Sequence, residues 1–369
     1  MPGLRPFIEN DVSPVADLIW KVLHERKGPA PSTLHTHLGE LFLRNPWLDE
    51  GIVSNVFEDS QGKIAGFFGA LPRRMTLQGN VIRLAFGSNF VMDPESRVSM
   101  AAIQLVKAFV RGTQDISITD SANEMSRQLL RSLGFGVVPI YSLQWARPLR
   151  PSRYAINTMS RMTKNRTVAR MGSIAKPFCS LADAMATGMG FSPFRQTRVG
   201  IADEGLDVET HLECLARIPS KQFLLPEYDR QSLDWVLNFI AKRKVFGEMR
   251  KAVVRSKEGK IVGWYIYAIG SSGVGEVFQI GAESPSIGIV LDHLFQDAWG
   301  HGLIGLHGRM EPQFMQELTA RSCFFFRHGS WTLAQSKRPE LLSLLQSGTA
   351  FFSRLDGEWS LRHGGGGEA

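Results

Sequence analysis

Between residues 85 and 135, the spacing of the hydrophobic residues changes in turn from that of a strand to that of a helix, and then does so again. Apolar and aromatic residues run nearly unbroken to Met92, and Pro94 then indicates a turn, because proline fixes φ and often opens a helix. Apolar residues recur at helical spacing up to Phe109, and the polar cluster that ends in Asn123 is typical of the start of another helix. The pattern predicts a strand, a helix, a strand and a helix at 85–92, 97–109, 116–119 and 124–133.

The residues before this region predict a helix and a hairpin. Ser13 is a suitable N-cap and Pro14 suits a first helical position, with apolar residues at helical spacing as far as Leu23. The segments 52–58 and 64–70 alternate as strands do, and the Asp-Ser-Gln-Gly turn between them has hairpin chemistry. We therefore expect a helix and antiparallel strands ahead of the series above.

A similar order of elements begins after residue 200. Residues 62–66 read Gly-Lys-Ile-Ala-Gly, and 197 positions further on residues 259–263 read Gly-Lys-Ile-Val-Gly. Around the second copy the pattern predicts helices at 209–218 and 231–241 and strands at 251–255, 261–269 and 276–280. We expect two units of related fold, with a flexible glycine-rich tail after the second.

The positive charge of the chain is concentrated in one segment. The 369 residues carry a formal net charge of +7, and 43% of them are hydrophobic, enough for two cores. Residues 147–176 hold eight arginines and lysines and no acidic residue, so the remainder of the chain is close to neutral. This segment is interpreted either as a solvated linker or as a contact surface for an anionic partner such as tRNA, an acyl carrier protein or a membrane surface.

Several classes of protein are not indicated. The three cysteines, Cys179, Cys214 and Cys323, lack disulfide or zinc spacing, the histidines lack metal-ligand spacing, and no nucleophile-elbow motif occurs. We therefore predict no metal site and no hydrolase. No long apolar run and no secretory leader is recognised, so we expect no transmembrane segment and a cytoplasmic protein.

Two stretches, VMDPESRVSMAA and NEMSRQLLRSLGFG, resemble the GNAT superfamily of N-acetyltransferases. The resemblance implies an α/β (α+β) fold of two GNAT-like units, each a mixed, largely antiparallel twisted sheet flanked by helices. Residues 351–359 resemble the closing strand of bacterial members with two such units, so we expect them to close the second sheet. The expected division is an acyl-donor domain at 1–146, a basic linker region at 147–200, a second GNAT-like domain without the cofactor loop at 201–362, and a flexible tail at 363–369.

The same resemblance implies the residues that bind the acyl donor. In the family, a loop at the start of a helix wraps the CoA pyrophosphate with backbone N–H groups, an arrangement that helix N-termini favour. Met100 stands where the family has glycine, and Leu130 where many members have tyrosine. The positions expected to bind the cofactor are Val91, Met92, Arg97, Val98, Ser99, Met100, Ala101, Ala102 and Asn123.

The function that the resemblance implies is acyl-CoA-dependent N-acyl transfer, with acetyl-CoA or another acyl-CoA as co-substrate. Candidate catalytic side chains are Asn89, Asp120 and Glu276, because transfer needs a base for the acceptor amine and a group that polarises the thioester. The acceptor, an amine or amino sugar, stays open. The alternatives are a Fem-like aminoacyl transferase, an acyl-carrier-protein-dependent transferase and a non-catalytic GNAT-like scaffold, the last favoured by Met100 and Leu130.

Overall fold

The computed structural model describes residues 3–96, 100–163, 179, 181–185, 188, 192–195, 197, 203–218, 224–327 and 329–363. The strands in chain order are β1 Gly3–Pro6, β2 Asn55–Glu58, β3 Ile64–Leu77, β4 Asn80–Met92, β5 Ile116–Ala122, β6 Gly136–Val137, β7 Gln144–Pro148, β8 Asp203–Gly205, β9 Leu225–Pro226, β10 Glu248–Arg255, β11 Ile261–Ile269, β12 Val274–Ala282, β13 Gly305–Arg309, β14 Phe324–Phe326 and β15 Trp331–Ser336. The helices used below are α1 Val12–Val22, α2 Ser32–Leu43, α3 Ala101–Val110, α4 Glu124–Ser132, α5 Pro139–Ser142, α6 Pro151–Thr163, α7 Val208–Ala216, α8 Arg230–Ala241, α9 Ile287–Gly300, α10 Met315–Ala320 and α11 Pro339–Gln346.

Contacts divide the chain into two compact units that are each discontinuous in sequence. The first unit comprises Met1–Ser142, Pro219–Ile240 and Gly329–Ala369, and the second comprises Leu143–Ile218 and Ala241–His328. The sequence-based domain bounds given above remain predictions, and the contact-based units cut the chain at other places.

The first unit contains a sheet in the order β1-β2-β3-β4-β5-β15-β6, with β9 added beside β3. Neighbouring strands are antiparallel except β4 and β5, which are parallel and are connected through α3. The second unit contains a sheet in the order β14-β7-β13-β12-β11-β10-β8, in which only β12 and β13 pair in parallel, through α9. Two mixed, mostly antiparallel sheets flanked by helices confirm the predicted fold class.

Each sheet contains strands from the other half of the sequence: the second sheet contains β7, and the first contains β9 and β15. β7 lies in the N-terminal half of the sequence, yet it pairs with β13 and β14 of the second sheet. β15 lies in the C-terminal half of the sequence, yet it pairs with β5 and β6 of the first sheet. Such an exchange is non-local, and residue patterns along the chain do not encode it.

The core of the first unit lies between its sheet and α3. The helix buries Ala101, Leu105 and Phe109, whose spacing of four residues places them on one face. They pack against Phe68 of β3 and Ala85 of β4, which point to the same side of the sheet. Packing of this kind fixes the N-terminal end of α3 just beyond the end of β4.

Two expectations about local structure are wrong. α1 begins at Val12 with Asp11 as its N-cap, so Ser13 lies inside the helix. Residues 351–363 form turns and irregular chain rather than a closing strand, and most of them are buried in the first unit. Within the described residues, no helix is both long and apolar enough to cross a membrane.

Candidate active site

Strands β4 and β5 separate after three residue pairs. Their parallel register runs from Leu84 opposite Ile116 to Phe86 opposite Ile118, and the strands then continue to Met92 and Ala122 without pairing to each other. Parallel strands that diverge leave the edge groups of both backbones available to another molecule. We refer to the space between 87–92 and 119–122 as the β4–β5 gap.

A β-bulge lies on the β4 side of this gap. Ser88 pairs with Gly69 and Val91 pairs with Phe67, so Asn89 and its neighbour oppose a single residue of β3. Asn89 has a φ of 52°, in the left-handed region that asparagine tolerates better than most residues. Its side-chain oxygen accepts a hydrogen bond of 3.0 Å from the Ser88 hydroxyl.

The Glu358 carboxylate lies at the β4–β5 gap. Its Oε1 accepts hydrogen bonds from the hydroxyls of Thr119, at 3.3 Å, and of Ser121 on β5. The Ser88 hydroxyl of β4, which donates to Asn89, lies close enough to lower the pKa of Glu358. The Glu358 backbone N–H donates to Asp120 Oδ1 at 3.2 Å. Glu358 therefore contacts both strands beyond their last parallel pair.

Glu358 is 1% exposed, and its protonation responds to this environment. Burial raises the pKa of Glu358 to about 7, with a further rise from the nearby Asp120 carboxylate. Arg362 and the hydroxyls of Ser121 and Ser88 act in the opposite direction without reversing the shift. Oε2 is buried and has no hydrogen-bond partner among the described residues, so one oxygen of a carboxyl with a raised pKa is left without a protein donor there.

The chain segment before Glu358 is held by buried polar and aromatic contacts. Asp356 accepts hydrogen bonds from the Ser353 N–H, the Ser353 hydroxyl and the Tyr228 hydroxyl at 2.8, 2.6 and 2.8 Å. Phe352 stacks on Phe86 of β4 with ring centroids 5.6 Å apart. These contacts place Glu358 by packing, although 237 residues separate it from Ser121 in sequence.

The predicted cofactor loop is described only in part. Arg97, Val98 and Ser99 lie outside the described residues. Met100 precedes α3 with its side chain 53% exposed, and Ala101 is fully buried in the core. Ala102 belongs to the first turn of α3, where backbone N–H groups have no helical acceptor. The Met100 side chain thus points into solvent and the Ala101 side chain into the core. Any role of these two residues in donor binding therefore rests on their backbone.

The other predicted cofactor residues, Val91, Met92 and Asn123, contribute to packing or to a helix cap. Val91 is buried on β4, and Met92 packs on the α3 side of the sheet. Asn123 is the N-cap of α4, where its Oδ1 accepts the Ser126 N–H at 2.9 Å. Asp93, in the turn after β4, is bonded by Lys63 at 2.9 Å and Lys21 at 3.1 Å, and these bonds outweigh burial and lower its pKa.

The three predicted catalytic residues do not form one group. Asn89 and Asp120 both lie at the β4–β5 gap of the first unit. Glu276 belongs to the second unit, on β12 directly beside His307 of β13, with 3.8 Å between Glu276 Oε1 and His307 Nδ1. His307 Nε2 lies 2.6 Å from the Tyr154 hydroxyl, and burial raises the pKa of Tyr154 to about 12.

The corresponding stretch of the second sheet is filled. β12 and β13 pair last at Val277 and Gly308, and β12 continues to Ala282. The Trp264 indole lies against Gly281, where a Cβ would be 2.1 Å from the ring. The oxygen of buried Gln279 accepts from Trp264 at 3.0 Å and lies 2.6 Å from a His211 ring nitrogen, so this stretch contains neutral, mutually bonded groups.

The described part of the basic segment is largely engaged inside the second unit. Arg147 is buried, Arg150 donates to the Leu303 and Trp299 carbonyls, and Arg153 pairs with Asp183 at 3.1 Å. Arg161 is exposed. The remaining cations, from Lys164 to Lys176, lie outside the described residues, so the predicted contact with an anionic macromolecule stays a prediction.

Among the described residues, no group of three or more histidine, cysteine, aspartate or glutamate side chains is arranged to hold a metal ion. Sequence patterns gave no indication of Glu358, because its partners come from strands more than two hundred positions earlier. The one feature of the sequence that could have drawn attention to this segment is the alternation of Arg, Asp and Glu with other residues at 354–359.

No protein-family model matches the chain, and no curated protein matches its sequence. Solved structures do match its fold. A probable N-acyltransferase from Enterococcus faecalis and a GCN5-related N-acetyltransferase from Anabaena variabilis each superpose with a TM-score of 0.58 at 12% identity, over 91% and 92% of this chain and 73% and 74% of theirs. The fold is of the GNAT type. N-myristoyltransferase from Saccharomyces cerevisiae, solved with bound myristoyl-CoA, is similar at a TM-score of 0.52 and 11% identity, over 90% of this chain and 77% of that one.

Proposed function

We propose that this protein is an acyl-CoA-dependent N-acyltransferase whose reaction takes place at the β4–β5 gap. The observation that carries the proposal is a buried carboxylate, Glu358, between the diverging parallel strands of a GNAT-type sheet. Solved structures of this fold include N-acetyltransferases and an N-myristoyltransferase with bound myristoyl-CoA, which supports an acyl-CoA donor. Acetyl-CoA is the donor that we expect first.

The donor is proposed to enter the gap as an extended chain. Backbone groups of β4 beyond Phe86 have no partner on β5, so they can bond to the amide groups of a pantetheine arm. The first turn of α3 follows β4 and offers backbone N–H groups and a positive dipole end to a phosphate. In this proposed arrangement the thioester lies near Asn89 and Glu358.

Glu358 is proposed to act as the general base. The acceptor reaches the site as an ammonium, and a carboxylate with a pKa of about 7 can take its proton at neutral pH. The amine nitrogen then attacks the thioester carbonyl carbon, the C–N bond forms and the C–S bond breaks. The nitrogen of the tetrahedral intermediate, which is still protonated, passes this second proton to the departing CoA thiolate directly or through water. The first proton, held by Glu358, is released to solvent before the next turnover.

The test compares wild type with Glu358→Gln, which keeps the shape of the side chain but cannot accept the proton. Release of the CoA thiol is followed with acetyl-CoA and longer acyl-CoAs against a panel of amines, amino acids and amino sugars. Removing a general base should lower kcat/KM by about 10²- to 10⁴-fold, while acyl-CoA affinity stays within a few-fold. The matched control is Glu50→Gln, an exposed glutamate of the same unit.

Two results would contradict the proposal. If no acyl-CoA raises the melting temperature of the wild-type protein, the gap is not a donor site, because a ligand of the native state must stabilise it. If the Gln variant turns over as fast as wild type, Glu358 is not the base. A protein that binds acyl-CoA but transfers to none of the amines favours the acyl-carrier-protein, aminoacyl-transferase or scaffold alternatives.

A further inference from the structure

The second unit contains a cleft of about 850 Å³ that is independent of the proposed reaction. It lies beside α9 and α10, and β7 contributes Arg147. Its volume is within the range of small-molecule sites in proteins. The ionisable residues that line it are three arginines and one aspartate: Arg147, Arg195, Arg321 and Asp292.

Arg147 is the unusual member of this lining. It is 3% exposed, and its Nε and Nη1 atoms have no hydrogen-bond partner among the described residues. Its guanidinium carbon lies 5.7 Å from the Phe295 ring centroid and 5.9 Å from that of Phe194. Aromatic rings contact the guanidinium, and no carboxylate among the described residues forms an ion pair with it.

Arg321 has the opposite environment. It donates to Asp292 at 2.7 and 2.9 Å and also pairs with Glu317, so its charge is compensated within the protein. The single aspartate of the cleft is thereby engaged by Arg321. Burial lowers the pKa of Arg147, which agrees with a cation that lacks a partner.

A buried cation without a counter-ion lowers stability, because its desolvation is not repaid by an ion pair or hydrogen bonds. Structural arginines in proteins are normally paired, as Arg321 is. The exception is expected where the partner is a ligand, and Arg147 lines a cleft large enough to hold one. Ser192, Thr197 and Ser322 add hydroxyl groups to the same lining.

We propose that this cleft binds a small organic phosphate, with Arg147 as the residue that contacts the phosphate group. Arginine presents several N–H donors in one plane, which suits the oxygens of a phosphate, and hydroxyl groups can complete its hydrogen bonds. The cleft exceeds the volume of the phosphate alone, and Phe295 and Pro193 offer apolar contact to the rest of the molecule.

The test titrates the full-length protein with inorganic phosphate and phenyl phosphate by calorimetry and thermal shift, with acetate as the carboxylate probe. Arg147→Met should weaken phosphate binding at least tenfold. Asp292→Asn should tighten it several-fold, since it removes the one negative charge of the lining and one of the two carboxylates that pair with Arg321. The control is Arg217→Met, which removes an exposed charge at the end of α7.

A second readout separates lost binding from lost folding. Without ligand, Arg147→Met should melt at or above the wild-type temperature, because an unpaired buried charge has been removed, and phosphate should no longer raise its melting temperature. Phosphate bound elsewhere in the chain persists in this variant and is subtracted.

The proposal is overturned if wild type binds neither phosphate probe, or if Arg147→Met and Asp292→Asn both bind as wild type does. Tighter binding of acetate than of phosphate would replace the phosphate with a carboxylate ligand. If Arg147→Met fails to fold, the direction of the Asp292→Asn effect decides. Acyl transfer enters none of these measurements, so this result and that for the proposed function are independent.

Discussion

The two sheets share a pattern of strands but differ at the place where their parallel pair ends. In the first unit the stretch beyond Phe86 leads to a buried carboxylate, Glu358, with one oxygen unbonded within the described chain. In the second unit the stretch beyond Val277 is covered by Trp264 and by the amide of Gln279. One stretch holds a group that can exchange a proton, and the other holds neutral groups that are hydrogen-bonded to one another.

This difference separates the fold from its chemistry. A parallel strand pair with a connecting helix provides a gap in both sheets, but what occupies the gap decides what it can do. Tryptophan with glycine beneath it is a packing solution, since a side chain at Gly281 would collide with the indole. We infer that the second unit acts by supporting structure or by binding other ligands.

The largest effect on stability is expected from removal of the Trp264 side chain, which covers β12 beyond Val277. Trp264 is 3% exposed, so Trp264→Ala leaves a cavity that Gly281 cannot fill and should cost about 3–5 kcal/mol of unfolding free energy. Trp299→Ala, at a tryptophan that is 39% exposed in the same unit, is the control and should cost less than half as much. Chemical denaturation measures both. Equal losses would show that Trp264 is not the packing element described here.

The second prediction concerns the ionisation of Glu358. Its pKa is about 7 in the folded protein against 4.5 for an ordinary glutamate, so the native state retains a proton that the unfolded chain has lost. Wild-type stability should therefore fall as pH rises from 4.5 to 7, whereas Glu358→Gln should lose nothing from this source. The difference between variant and wild type should grow by roughly 3 kcal/mol between pH 4.5 and 8.

Denaturation of both proteins at several pH values checks this, with Glu50→Gln as the control that should follow wild type. The same ionisation predicts a kcat/KM that rises with pH to a plateau above about 7, because only the carboxylate can act as a base. A pH-independent stability difference would contradict the raised pKa.

The third prediction sharpens the role of the hydroxyls around Glu358. The hydrogen bond from Ser121 lowers the pKa of Glu358, so Ser121→Ala should raise it and shift the midpoint of the pH–rate profile to higher pH. The variant should also lose about 1 kcal/mol of stability at pH 8, where the carboxylate is charged. Ser132→Ala, at an exposed serine at the end of α4, should leave the midpoint in place.

The smallest effect compares two helix caps. Asn123 caps α4 in the first unit and Asp207 caps α7 in the second, each through a side-chain oxygen that accepts a backbone N–H. Replacing either by alanine should cost about 1 kcal/mol. If Asn123 is only a cap, Asn123→Ala binds acetyl-CoA as wild type does. A loss of affinity confined to Asn123→Ala would support the predicted cofactor role.

Features that depend on neighbouring residues could be predicted from the sequence. The hairpin turn ending at Gly62 and its counterpart at Gly259 are both present, and both glycines have a positive φ near 80°. α4 begins after Asn123 as its N-cap chemistry predicts. In each case, a turn or cap is decided by residues within about five positions of one another.

Features that depend on distant residues were missed. The prediction of 351–359 as a closing strand of the second unit followed from its resemblance to that strand in the family, but the segment instead packs in the first unit through Phe352 and Asp356. The position of Glu358 follows from that packing. Asn89 lies on the strand predicted at 85–92, Asp120 directly follows the one predicted at 116–119, and both are at the gap. Glu358 was predicted on a strand of the second unit, so its position in the first unit could not be foreseen.

The exchange of β7 and β15 has a consequence for how the protein is made. A ribosome releases the chain from its N-terminus, and β1 to β5 of the first sheet can collapse early. Their neighbour β15, and Glu358 after it, leave the ribosome only after the whole of the second unit. Unpaired strand edges are prone to wrong association while they wait. The first sheet is therefore completed late although its first strands are made early, and the protein acquires its proposed base only after the second unit has been synthesised.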